Sequence, residues 1–136
     1  MTEIRFLGTG AAFAKGRRSN VSLLIQHDDF MMLSECGPSI IQQLHRAGVD
    51  PFDVQYLFVS HSHGDHTLGF PMLILHRLTA NNILHIYADP DTIATLEMLW
   101  ALTFTDFGSH YLKSEMHRII ERGLHTMPII ADRVTL

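Results

Sequence analysis

Four residues in one six-residue run, His61, His63, Asp65 and His66, carry side chains that bind divalent metals. Imidazole nitrogen and carboxylate oxygen suit Zn²⁺ and similar ions. Two histidines one residue apart can close on one ion if the backbone turns there. The aspartate and the third histidine can then face a second. Two ions about 3.5–4 Å apart form a clamp for hydrolytic displacement. The chain holds ten histidines in 136 residues, so some clustering is expected by chance. The run at 61–66 stands apart because an apolar stretch precedes it and Gly64 within it permits close backbone approach. His27, His45, His76, His85, His110, His117 and His125 are scattered and read as surface or core histidines.

The elements that must position this run follow from periodicity. Ile4 to Leu7 reads as a strand ending at Gly8-Thr9-Gly10, a tight turn rather than a phosphate loop because no third glycine follows. Ala11 to Ser19 reads as a loop. Its Lys15, Arg17 and Arg18 read first as a solvated basic segment, with contact to an anionic substrate as the functional alternative. Val21 to Gln26 and Phe30 to Leu33 form a hairpin around His27-Asp28-Asp29. Ile40, Ile41, Leu44 and Ala47 fall at helical spacing after Pro38 and stop at Gly48. Val54 to Val59 is a near-continuous apolar run, as in a strand covered on both faces. It delivers the chain to Ser60 and the histidines.

Beyond them, Pro71 opens a helix to about Leu78, and Ile83 to Tyr87 is a strand. Asp89 caps a helix with Pro90 at its first position and Ile93, Leu96, Trp100 and Phe104 on one face. Tyr111, Leu112, Met116, Ile119 and Ile120 predict a further helix ended by Gly123, and Leu124 to Leu136 one or two short strands. Strands alternate with helices, so the class is α/β. The metal-binding run lies just past the C-terminal end of a central strand, where open α/β sheets place their sites.

A chain of this length forms one domain or part of a larger one. Its 46% hydrophobic and 18% charged residues are those of a globular protein. A formal net charge of −4 argues against broad electrostatic capture of nucleic acid, while leaving room for a separate basic element. Cys36 is the one cysteine, so no intrachain disulfide can form, which fits a reducing cytoplasm. The first residues lack a basic-then-apolar signal pattern, and no apolar run is long enough to span a membrane.

The His-x-His-x-Asp-His pattern of His61, His63, Asp65 and His66, with Ser60 and a strand before it, resembles the metallo-β-lactamase superfamily. Three stretches are similar to its ribonuclease Z branch: Phe6-Leu7-Gly8-Thr9-Gly10-Ala11-Ala12, Ser19 to Leu24, and Ser60 to Pro71. The resemblance implies an αββα sandwich, of which this chain is mainly the first half, apparently truncated before the later metal-ligand motifs. Those ligands, a histidine, a bridging aspartate and a final histidine, are expected downstream. His110, His117 and His125 lack the expected context. Glu35 stands where the family carries an aspartate that supports the metal site from behind its ligands. The charge is kept on a side chain one methylene longer.

The expected activity is that of a zinc-dependent hydrolase, a phosphodiesterase similar to ribonuclease Z. A complete site would hold two Zn²⁺, with Mn²⁺ or Fe as alternatives. His61 and His63 would hold one ion, Asp65 and His66 the other. A metal-bound hydroxide would attack phosphorus, and Asp65 would orient or deprotonate it. RNA is the sharper substrate expectation. A lactone, thioester or sulfate ester would need the same hydroxide and is the first alternative. The second is a catalytically incomplete half-domain. Half a sandwich exposes an apolar sheet face, so a homodimer or a missing C-terminal half is expected.

Overall fold

The computed structural model describes residues 1–80, 82–104 and, as backbone, 114–118. These contain one six-stranded sheet in sequence order: β1 (Thr2–Gly8), β2 (Ser22–His27), β3 (Phe30–Ser34), β4 (Tyr56–Phe58), β5 (Leu84–Ala88) and β6 (Ser114–Arg118). The first three strands form an antiparallel meander. From β3 onward each strand runs parallel to the one before. Each parallel step therefore needs a crossover. Helix α1 (Ile40–Arg46) links β3 to β4, α2 (Gly64–Thr67) and α3 (Phe70–His76) link β4 to β5, and α4 (Pro90–Thr103) follows β5.

Strand alternation decides which residues meet the helices. Leu24, Leu33, Leu57 and Ile86 are paired across four neighbouring strands and have no exposed surface. Ile40 and Leu44 of α1, Phe70 and Leu73 of α3, and Ile93 and Leu96 of α4 complete that core. Burying one such side chain contributes about 1.5–3 kcal/mol. The other face carries a second row, Ile4, Ile25, Met32, Tyr56 and His85. Tyr56 lies between Phe30 and His85, with ring centroids 4.7 and 5.4 Å away. On this face at the β1 edge, Ile4 and Phe6 are 57% and 71% exposed.

Local chemistry sets the element ends. The hairpin between β2 and β3 turns at Asp28, whose φ of 51° is a left-handed conformation that aspartate tolerates. The Asp89 carboxylate accepts from the Asp91 and Thr92 amides, each at 3.0 Å, and so caps α4. Arg77 is buried after α3. Its guanidinium donates to the Pro51 and Phe52 carbonyls at 2.9 and 2.8 Å and to Asn82 Oδ1 at 2.7 Å. Burial lowers its pKa to about 10, against the pull of Asp53, so it stays charged at neutral pH. It fastens the 3₁₀ turn Pro51–Asp53 to the approach to β5.

Three expectations change. The strand expected over 54–59 is regular only from Tyr56 to Phe58, although the Gln55 and Val59 amides still bond to the Met31 and Tyr87 carbonyls. The helix expected from Tyr111 to Ile120 is contradicted at 114–118, which pair with β5 from Leu84↔Ser114 to Ala88↔Arg118. An open sheet edge outweighs helical spacing there, and His117 lies in that strand. Finally, α2 arises within the histidine run itself. The strands expected over Leu124 to Leu136, with His110 and His125, lie outside the described residues.

The cap on α4 yields a test. Asp89→Ala is expected to cost about 1 kcal/mol in urea unfolding. The Thr92 hydroxyl, then the amides, hold the Asp89 pKa below its ordinary value. A depressed carboxylate stabilises the fold above its unfolded pKa and loses that contribution as pH falls through its folded pKa. The difference between wild type and variant is therefore expected to shrink below about pH 4.

Candidate metal centre

β1 and β3 both run parallel to β4, so their C-terminal ends share one edge of the sheet. Two segments cross at that edge. The first is Glu35-Cys36-Gly37, leaving β3. The second is Ser60 to Gly69, leaving β4 and turning through α2. Backbone hydrogen bonds lace them together. The Glu35 amide donates to the Phe58 carbonyl at 2.8 Å, the Cys36 amide to His66 at 2.9 Å, and the Gly69 amide to Cys36 at 2.9 Å. A Cβ on Gly69 would strike the Gly37 carbonyl, and one on Gly37 would strike the Asp65 carbonyl. The close approach expected at Gly64 thus belongs to Gly37 and Gly69. A Cβ on Gly64 would meet only the movable end of Leu68, at 2.9 Å.

The crossing brings the candidate side chains together. The ring of His61 lies 4.5 Å from that of His63 and 4.1 Å from that of His66, centroid to centroid. His66 has a carboxylate on each nitrogen. Its Nδ1 is 2.9 Å from Glu35 Oε2, and its Nε2 is 3.3 Å from Asp65 Oδ2. Glu35 Oε2 also accepts from the Ser60 amide at 3.3 Å. His61 Nδ1 hydrogen-bonds the Ser60 hydroxyl at 2.9 Å. Thr67 Oγ1 donates to the His63 carbonyl at 3.0 Å, which ties α2 to its own first turn.

Glu35 is buried and has a φ of 71°. A left-handed conformation is uncommon outside glycine and costs of order 1–3 kcal/mol. It survives because the amide is bonded to β4 while the carboxylate is bonded to Ser60 and His66. Nothing in the residue pattern signals this conformation. Cys36 beside it is fully buried. Burial, and then the neighbouring Glu35 charge, push its thiol pKa up, so the free thiol stays protonated at neutral pH.

The donors are therefore assembled but not closed. Among the described residues, no three His, Cys, Asp or Glu side chains are arranged to hold one ion. His66 Nε2 lies 3.3 Å from Asp65 Oδ2. Among the described residues, no helix is long and apolar enough to cross a membrane.

The mixed sheet with its helical crossovers matches solved structures of the metallo-β-lactamase fold. Human tRNase Z, short form, superposes with a TM-score of 0.74 at 22% identity, over 89% of this chain and 45% of that one. The metallo-β-lactamase fold protein YhfI from Bacillus subtilis gives a TM-score of 0.72 at 19% identity, over 93% and 49%. In sequence, ribonuclease Z of Pyrococcus abyssi is 33% identical over 101 residues, covering 73% of this chain and 33% of that protein. The resemblance to the ribonuclease Z-like branch of the superfamily is thus borne out. Within that setting, the chain belongs to the family of the anti-Pycsar protein Apyc1, whose model matches residues 2–119. The chain spans between about a quarter and a third of the length of the curated relatives it matches.

The crossing predicts opposite outcomes for two glycines. Gly69→Ala forces a Cβ against backbone and is expected to lower stability by about 1–3 kcal/mol. Gly64→Ala, which displaces only Leu68, is expected to stay within about 1 kcal/mol of wild type. Urea unfolding of both variants checks the contrast.

Proposed function

We propose that the protein containing this chain is a divalent-metal-dependent phosphodiesterase, with zinc as the metal. His61, His63, Asp65 and His66 are the ligands this chain contributes. One observation carries the reading: His66 is held between the carboxylates of Glu35 and Asp65. Metal-binding histidines commonly donate their second N–H to a carboxylate, which fixes the tautomer and ring orientation. Glu35 fills that place at Nδ1 and leaves Nε2 as the donor toward an ion.

The donor set fits zinc by chemistry, since it is all imidazole and carboxylate. A bound divalent ion would polarise a phosphoryl oxygen and lower the pKa of water toward neutral. The chain's own groups have separate tasks. Glu35 orients His66 and, through the Ser60 amide, the start of the histidine run. Asp65 lies next to His66 Nε2, where its second oxygen can hold a proton taken from the attacking water. Ser60 sets the ring of His61 through Nδ1.

RNA 3′ processing is the sharper reading of the substrate, supported by ribonuclease Z relatives. The chain's own family is that of the anti-Pycsar protein Apyc1, so RNA is the narrower reading and a phosphodiester the broader one. A half-site that needs further donors is favoured by the absence of three converging groups among the described residues. Those donors come from a downstream segment or a second copy. Light scattering separates the two, since a second copy doubles the mass.

Purified protein is expected to bind zinc and to hydrolyse a chromogenic phosphodiester. His63→Ala is expected to lose both. Glu35→Gln keeps the shape but gives up the charge on His66, and zinc affinity is expected to fall about 10–100-fold. Protein without zinc, or unchanged turnover in His63→Ala, would sink the proposal.

A further inference from the structure

Helices α1 and α3 both start beside the backbone crossing, α1 soon after Gly37 and α3 directly after Gly69. Each belongs to a crossover between parallel strands, so each runs back from the site edge toward the opposite edge of the sheet. Seven residues carry each helix about 10 Å in that direction. The last turn of α1 carries His45, and the last turn of α3 carries His76. The two are far apart in sequence, yet the fold sets their rings edge to face, with centroids 6.1 Å apart and planes at 65°.

The His76 ring is already oriented. Its Nδ1 lies 2.9 Å from the Met72 carbonyl, one turn back on the same helix. A carbonyl only accepts, so Nδ1 carries a proton, and in the neutral ring Nε2 keeps a lone pair. Metal-binding histidines are commonly held this way, by a carbonyl on the nitrogen that does not bind. His45 is exposed, and its ring makes no hydrogen bond or ion pair among the described residues. An ion about 2.0–2.1 Å from one nitrogen of each ring would set the centroids about 5–6 Å apart, according to the angle at the ion. The observed spacing matches, and only the exposed His45 ring has to turn. Solvation accounts for His45 alone. It does not account for a second imidazole beside it, on another helix, with its tautomer fixed.

We propose that His45 and His76 form a second divalent-metal site, a staple between the far ends of α1 and α3. Its ion is a late transition metal of the kind imidazole suits: zinc, nickel or copper(II). The two rings fill two positions and water fills the rest, since no third His, Cys, Asp or Glu joins them among the described residues. The crossing at Gly37 and Gly69 ties these helices at their starts, and the ion ties them at their ends. The staple takes no part in hydrolysis and does not rest on the phosphodiesterase reading.

The test is equilibrium dialysis against zinc at neutral pH. A chain carrying His61→Ala and His63→Ala, which disables the histidine run, is expected to keep one zinc. Adding His45→Ala or His76→Ala is expected to weaken that binding about a hundredfold, because a two-point grip becomes a single one. Zinc is expected to raise the urea midpoint of the double variant, and to leave it unmoved once either staple histidine is gone. In EDTA these chains are expected to share one midpoint, which separates lost metal from a folding defect. If the double variant does not fold, His45→Ala in the otherwise wild-type chain reads the same loss as one zinc fewer per chain. Hydrolysis of bis(p-nitrophenyl) phosphate by that single variant is expected to match wild type. A double variant that folds without binding zinc, or zinc binding that survives both His45→Ala and His76→Ala, would overturn the staple. Zinc on the staple with no turnover by wild type removes the phosphodiesterase reading and leaves the staple standing.

Discussion

Two backbones cross at the edge of the sheet with nothing between them, and the site depends on that contact. Gly37 and Gly69 are the residues that allow it, each facing a carbonyl where a side chain would not fit. The amides of Cys36 and Gly69 then bond across the crossing in opposite directions. Once it forms, the exit from β3 and the exit from β4 are no longer separate loops. Glu35 comes within reach of His66, and the histidine run is folded back into the short helix α2. The same crossing carries Asn20, so the loop before β2 is positioned by it as well.

The sheet contributes the direction of approach. Parallel order from β3 to β6 aligns the C-terminal strand ends along one edge, and the Leu24, Leu33, Leu57, Ile86 row holds that order by burial. The buried row is apolar and the edge is polar. The chemistry therefore sits where strand pairing stops but helix packing has not yet covered the chain. Glu35 marks the changeover: its amide still belongs to the β3–β4 ladder, and its carboxylate already belongs to the site.

Much of this was legible in the residues. Alternation and turn chemistry placed the β2–β3 hairpin, and Asp89-Pro90 placed the start of α4. The spacing of His61, His63, Asp65 and His66 marked where to look. The failures have physical causes. The helical spacing around Met116 is a local signal, and pairing with β5 is a long-range one that no local window contains. Gly64 drew attention because it lies inside the motif, whereas the contacts that require glycine join positions 37 and 69, more than thirty residues apart. The φ of Glu35 was hidden for the same reason: only its partners on β4 and α2 make such a conformation tolerable. Whether Glu35 reached a histidine could not be read from its extra methylene, because the answer lay in where α2 carried His66.

The way the site is fastened also divides its motions. The amides of Glu35, Cys36 and Gly69 are bonded into the strand ladder or across the crossing, so they open only when that cooperative unit opens. The loop 11–19 bonds to its own neck and to the Asn20 side chain, which donates to the Ala11 and Ala12 carbonyls, rather than to the strand ladder. Residues that would retain a metal and the loop before β2 thus belong to different units of local unfolding. Hydrogen exchange would register them as a slow class and a fast class.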